Sequence, residues 1–163
     1  SLNACGIFVQ LKMNIAIPIP AYHPRLLFLC EPVTNTVMPD STFTRILYSD
    51  TDITLVGIHL QLHIEGVRDE HHYQKIRTIF DVSSNSRAVL SVERIESNIL
   101  DMIDCGKRRV TKLTDQLKHG ILRSATHACW ASGGPDFVLK ITGIWETDSE
   151  YGITYKVTDA TRL

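Results

Sequence analysis

The sequence predicts a mainly β chain of the α+β class: five strands in one unit, a helical insertion between the third and fourth, and an N-terminal strand extension. Three observations carry that expectation. Residues 56–64 alternate without a fault, with Val56, Ile58, Leu60, Leu62 and Ile64 apolar against Gly57, His59, Gln61, His63 and Glu65, the period of a strand buried on one face. Val92, Ile95, Ile99, Met102 and Ile103 recur at helical spacing, which makes an amphipathic helix. Residues 137–157 alternate again around an acidic loop at 146–150, as two strands of a hairpin do.

The extension comes first. Every odd position from Ile7 to Ile19 is apolar, so residues 7–19 read as a half-buried strand, ended or left at a sheet edge by Pro18 and Pro20, which lack the ladder donor. Leu26-Leu27-Phe28-Leu29 between two prolines is a short strand or a buried connector. Residues 31–41 hold Pro32, Pro39, Asn35 and Asp40 and read as loop. The boundary between an extension, 1–40, and a main domain, 41–163, is therefore placed there.

In the main domain residues 43–48 form a modest strand and 49–52 a polar turn. The strong strand at 53–65 carries Gly57 in its middle, which marks a bulge or bend of the kind that turns the corner of a small barrel. Residues 66–73 read as a charged loop and 74–82 as the third strand. The polar run 83–86 supplies an N-cap for the first helix, and Gly106 marks its end. A second helix spans about 111–122, completing an insertion at 86–124. Gly133-Gly134-Pro135 is a break, after which strands at 137–145 and 151–158 close the chain.

Composition narrows the function. Seventeen basic against eighteen acidic side chains leave no global field to draw in a polyanion, so any such contact needs a local patch. Cys5, Cys30, Cys105 and Cys129 are widely spaced, with no CxxC and no zinc-finger spacing, the pattern of reduced intracellular thiols. No apolar run reaches transmembrane length, and the start lacks a signal peptide's basic flank and cleavage site. The expectation is a protein of the nucleus or cytoplasm without membrane insertion.

Catalytic and metal signatures fail on geometry. His59 and His63 lie roughly 13 Å apart along a strand, too far to share one metal. His71-His72 reads as solvated surface. Cys129 has His127 two residues away but no orienting group, Gly133-Gly134 lacks a phosphate-loop spacing, and Glu93 with Glu96 reads as a helix-surface pair. The expectation is no enzyme, no metal and no cofactor.

The densest positive charge is at residues 107–123, with Lys107, Arg108, Arg109, Lys112, Lys118 and Arg123 against Asp115 alone. Strand cations Arg45, Lys75, Arg77, Lys140 and Lys156 and the aromatics Tyr48, Trp145, Tyr151 and Tyr155 accompany it. Cations that track phosphates beside aromatic faces that stack bases are what single-stranded nucleic acid requires. The competing reading turns Phe137, Trp145 and Tyr155 inward as core.

Taken in order, with residues 53–60, 75–82 and 137–157 carrying the likeness, the chain resembles the OB-fold single-stranded DNA-binding proteins of replication, telomere and viral systems. The resemblance is one of pattern over about two thirds of the chain. It implies an OB-like five-stranded antiparallel barrel that binds single-stranded DNA or RNA without catalysis, in replication or end protection. Arg45, Lys75 and Arg77 would line the groove, Trp145 and Tyr151 would stack bases, and Lys107, Arg108, Arg109 and Lys112 would clamp phosphates, with Lys140 and Lys156 beside them. A second reading is a structural or adaptor protein of matrix type that self-associates or meets a protein partner through the N-terminal strand. Whether the face bearing His59, Gln61 and His63 meets solvent separates the two.

Overall fold

The computed structural model describes residues 16–72, 75–123 and 136–159. Residues 7–15 of the expected first strand, Cys5, Cys129 and the glycine pair at 133–134 lie outside the described residues. So do the side chains of His71, His72 and Lys75.

The spine of the fold is the hairpin of β11 (Asp136–Glu146) and β12 (Glu150–Asp159), the two strands that alternate most regularly at the C-terminal end. β6 (Ile58–His63) pairs antiparallel with the first half of β11, placing Leu60 opposite Leu139, which in turn faces Val157. β4 (Thr42–Ser49) pairs with the second half, Gly143 to Glu146. The far part of β4 instead takes β5 (Thr54–Val56), so the ribbon from Thr54 to His63 changes partner between Val56 and Ile58. Gly57 stands at that switch with φ 81°, its N–H donating to the Ile46 carbonyl at 2.8 Å. A Cβ there would also come within 2.8 Å of the Ile141 carbonyl oxygen, so both the positive φ and the close approach require glycine.

Around this junction β2 (Leu27–Leu29) and β3 (Val33–Thr34) add to the outer side of β4. β1 (Ile17–Pro18) joins β6 in parallel. β9 (Arg108–Val110) joins β12 in parallel, through residues expected to lie in the helical insertion. β7 (Arg68–His72), β8 (Lys75–Ile79) and β10 (Ile121–Leu122) form a separate three-stranded sheet.

The expected OB-like five-stranded barrel with a helical insertion is corrected by this topology. Nine strands share one mixed sheet that stays open among the described residues, and the third expected strand leaves it for the small sheet. The physical reason lies in residues 66–73. Their charges suggested a loop, but on β7 they are satisfied across the strand pair: Arg77 meets Glu70 at 2.5 Å and the Thr78 hydroxyl donates to Asp69 at 2.9 Å. With β8 engaged there, the third expected strand is not available to carry the main sheet round to closure.

Helix α1 (Ser86–Leu100) lays Val89, Val92, Ile95, Ile99 and Leu100 on the inner sheet face, over Ile58, Leu60, Leu62, Phe137, Leu139 and Ile141. Helix α2 (Lys112–Lys118) adds Leu113 and Leu117. Asn85 sits at the N-cap of α1, yet its side chain ties the helix start to the end of β6. Its Oδ1 accepts from the Glu65 N–H at 2.7 Å, and its Nδ2 donates to the Glu65 and Asp81 carbonyls at 3.0 and 2.9 Å. The helix ends at Leu100, short of the expected end at Gly106. No helix among the described residues is long and apolar enough to cross a membrane.

Candidate nucleic-acid interface

Register and alternation together define the sheet face turned away from α1. Since Ile58, Leu60, Leu139, Ile141, Tyr155 and Val157 point inward, the intervening residues point outward. Three rows cross the strands there. The first is His59, Lys140 and Lys156, direct neighbours on β6, β11 and β12. The second is Arg45, Gly143 and Thr154, and the third Phe43, Trp145 and Gly152. Arg45, Thr154 and Lys156 are exposed and His59, Lys140, Phe43 and Trp145 half-buried. Burial, with Lys140 alongside, lowers the His59 pKa; the imidazole is thus neutral at physiological pH.

The two glycines in these rows are seats for rings. A Cβ on Gly143 would overlap the Phe43 ring, and one on Gly152 would come within 2.9 Å of the Trp145 ring and 2.8 Å of the Val110 carbonyl oxygen. Each aromatic side chain therefore lies over a glycine of a neighbouring strand, in space that a side chain there would fill. The register that joins Trp145 to Gly152 was not visible in the sequence.

Beyond Gly152, β9 ends and α2 begins, so from Ile153 to Lys156 no strand covers that edge of β12 among the described residues. A groove of about 430 Å³ runs along it, bounded by Trp145, Tyr155, Lys156, Lys112, Gln116 and Arg123. No ion pair joins Lys112, Arg123 or Lys156 to a carboxylate among the described residues. Burial, with the Glu96 carboxyl nearby, pushes the Tyr155 hydroxyl up to about 12.

Of the expected binding residues, Arg45, Lys140, Trp145 and Lys156 share the outer face, and Lys112 stands on the groove with Trp145 and Lys156. The others are placed apart. Lys107 binds Glu146 at 2.5 Å and donates to the Thr147 carbonyl, Arg108 pairs with Glu150, and Arg109 binds Asp101 at 2.7 Å. The densest positive run of the sequence thus spends much of its charge on the acidic hairpin loop and on α1's end. Tyr151 is buried with Arg109 over its ring at 5.8 Å, its hydroxyl accepting from Arg109 Nε at 3.1 Å. Arg77 belongs to the small sheet with Glu70. His59, Phe43 and Gln116 were not among the expected binding residues, whereas Arg123 belonged to the expected basic run. For His59 and Phe43 the signal is the register, which the pattern of one strand does not contain. Opposite them, at the far end of β11, Asp136 holds His63 Nδ1 at 2.7 Å.

Comparison with protein-family models, with curated proteins and with solved structures finds no match.

Proposed function

We propose that the protein binds single-stranded nucleic acid on the open outer face of the main sheet, without catalysis. The observation that supports this reading is the juxtaposition of Lys140, Lys156 and Arg45 with Trp145 and Phe43 on one sheet face, Arg45 and Lys156 exposed and the other three half-buried. Cations at strand spacing follow a phosphate backbone, and aromatic rings beside them are what unpaired bases stack on. Duplex DNA keeps its base faces stacked internally and gains only the phosphate contacts. Such a role belongs in the nucleus or cytoplasm, in replication or end protection.

Three face cations give a salt slope of about −2, and the two further groove cations raise it to about −3.5, using 0.7 per phosphate for a single strand. Fluorescence anisotropy with a twenty-nucleotide oligo-dT at several salt concentrations tests it. Affinity is expected to fall with such a slope, and K140E/K156E to reduce both affinity and slope. Salt-independent binding, or an unaffected double variant, contradicts the reading.

A second reading follows from a separate feature. Phe28, Leu47 and Val56 are neighbours across β2, β4 and β5, with Phe28 51 % and Val56 58 % exposed. An apolar stripe of this kind supports self-association, and concentration-dependent light scattering that Val56→Lys abolishes would support it.

A further inference from the structure

Helix α1 carries a second surface that the proposed binding of single strands leaves unused. Its inner side covers the sheet, so its solvent side looks away from the outer face. Arg87, Leu90, Ser91 and Arg94 follow one another there at helical spacing, with both arginines exposed and Leu90 61 % exposed. Neither arginine makes an ion pair among the described residues. Residues 1–15, 73–74, 124–135 and 160–163 hold no aspartate or glutamate, so no acidic side chain from those segments neutralises them. Beside the stripe a cleft of about 420 Å³ opens between α1 and the segment of Pro18, Ile19 and Pro20, with Ala88 on its helix side. That size is in the range of clefts that enclose bound groups. Arg87 and Ser91 border both this cleft and the hollow around Leu90 and Arg94, which makes the two one continuous surface. No phenylalanine, tyrosine or tryptophan lines it among the described residues.

We infer that this surface docks an acidic segment of a partner protein, with a bulky apolar side chain in the cleft and carboxylates on Arg87 and Arg94. Charge complementarity carries the choice of partner. Two guanidinium groups without a carboxylate, two helical turns or about 10 Å apart along the axis, suit carboxylates, which they hold in paired hydrogen bonds. The wall of Pro18, Ile19 and Pro20 and the exposed Leu90 offer burial to an aliphatic or aromatic side chain beside those charges. A nucleic-acid strand would gain phosphate contacts from the arginines but finds no ring here on which to stack a base. The only carboxylate lining the cleft among the described residues is that of Glu65, at the end where the Asn85 side chain ties the chain after β6 to α1. It repels acids there and turns the acidic end of the segment toward Arg94.

The test titrates the full chain into two fluorescein-labelled peptides that share one central tryptophan, one otherwise rich in glutamate and one with lysine in place of each glutamate. By anisotropy the glutamate peptide should bind and the lysine peptide should not. R87E/R94E should weaken the glutamate peptide about tenfold, the worth of two exposed ion pairs, and L90S should weaken it as well. All three side chains are exposed, so both variants should unfold at the wild-type temperature, and each decides the question alone. Failure of the glutamate peptide to bind, equal binding of the lysine peptide, or an affinity that either folded variant leaves unchanged overturns the docking surface. A loss of oligo-dT affinity in R87E/R94E as large as its loss of peptide affinity gives this face to nucleic acid and also overturns it. So does a concentration-dependent dimer that L90S abolishes, which gives it to a second copy. Peptide binding by a protein that ignores oligo-dT supports the docking surface and overturns the proposed function alone.

Discussion

Glu96 is fully buried on the inner side of α1, and its behaviour with pH is a direct test of how the two helices are joined. Its Oε2 accepts from the Thr114 N–H at 2.8 Å and from the Thr114 hydroxyl, while Oε1 has no hydrogen-bond partner among the described residues. The carboxyl thus satisfies the first turn of α2, where Thr111 at the N-cap makes no side-chain cap. Burial raises the Glu96 pKa, and Asp115 adds to the rise against the Thr114 bonds. Because the folded state holds the proton more tightly than the unfolded chain, stability is greatest where both are protonated. It declines as pH rises from the ordinary glutamate range through the raised folded value. Glu96→Gln keeps an acceptor for Thr114 and cannot ionise, so its advantage over the wild type should grow as pH rises from the ordinary glutamate range, about 4.5, through the raised folded value. His59 acts in the opposite sense below about pH 6.5 and cancels in the comparison. Glu96→Ala leaves the Thr114 N–H and hydroxyl unpaired, costing about 3 kcal/mol, or about 6–12 °C in Tm for a domain of this size. Thermal unfolding by circular dichroism across that pH range reads all three proteins. If Glu96→Gln is destabilised as much as Glu96→Ala, or keeps the pH slope of the wild type, the protonated cap does not exist.

Two further outcomes follow from the outer face. The His59 pKa is lowered, so protonation, and with it a fourth cation in the rows, arrives only as pH falls below the usual histidine range; affinity for oligo-dT should rise from pH 7.5 to 5.5, and His59→Gln should remove that gain in anisotropy titrations. Gly152→Ala drives a methyl into the Trp145 ring and the Val110 carbonyl, which should cost about 1–3 kcal/mol in urea unfolding and weaken oligo-dT binding by displacing the ring.

Individual elements, though not the barrel expected of them, were legible in the sequence wherever one face of an element is buried. The alternation at 56–64 and 137–157 returned as β6, β11 and β12, and the bend at Gly57 is the site where the ribbon changes partner. What the sequence concealed was pairing. Charges on residues 68–70 suggested a loop because their partners on β8 are cross-strand and not local. The same limit governed the site. Lys107, Arg108 and Arg109 formed the most conspicuous basic run, yet the carboxylates that engage them lie outside it: Glu146 and Glu150 on the distant hairpin, and Asp101 at the end of α1. Lys140 and Lys156, isolated in the sequence, become neighbours beside His59 only through the register.

The central claim, that unpaired bases stack on the outer face, is tested most directly by the emission of Trp145 itself. In a Trp130→Phe background Trp145 is the single tryptophan, so a titration with oligo-dT reports on that ring alone. Emission should fall and saturate with the single strand, with the same midpoint as the anisotropy curve, and change little with a blunt duplex of equal length. Binding seen by anisotropy while Trp145 emission stays constant would place the nucleic acid elsewhere and contradict the account.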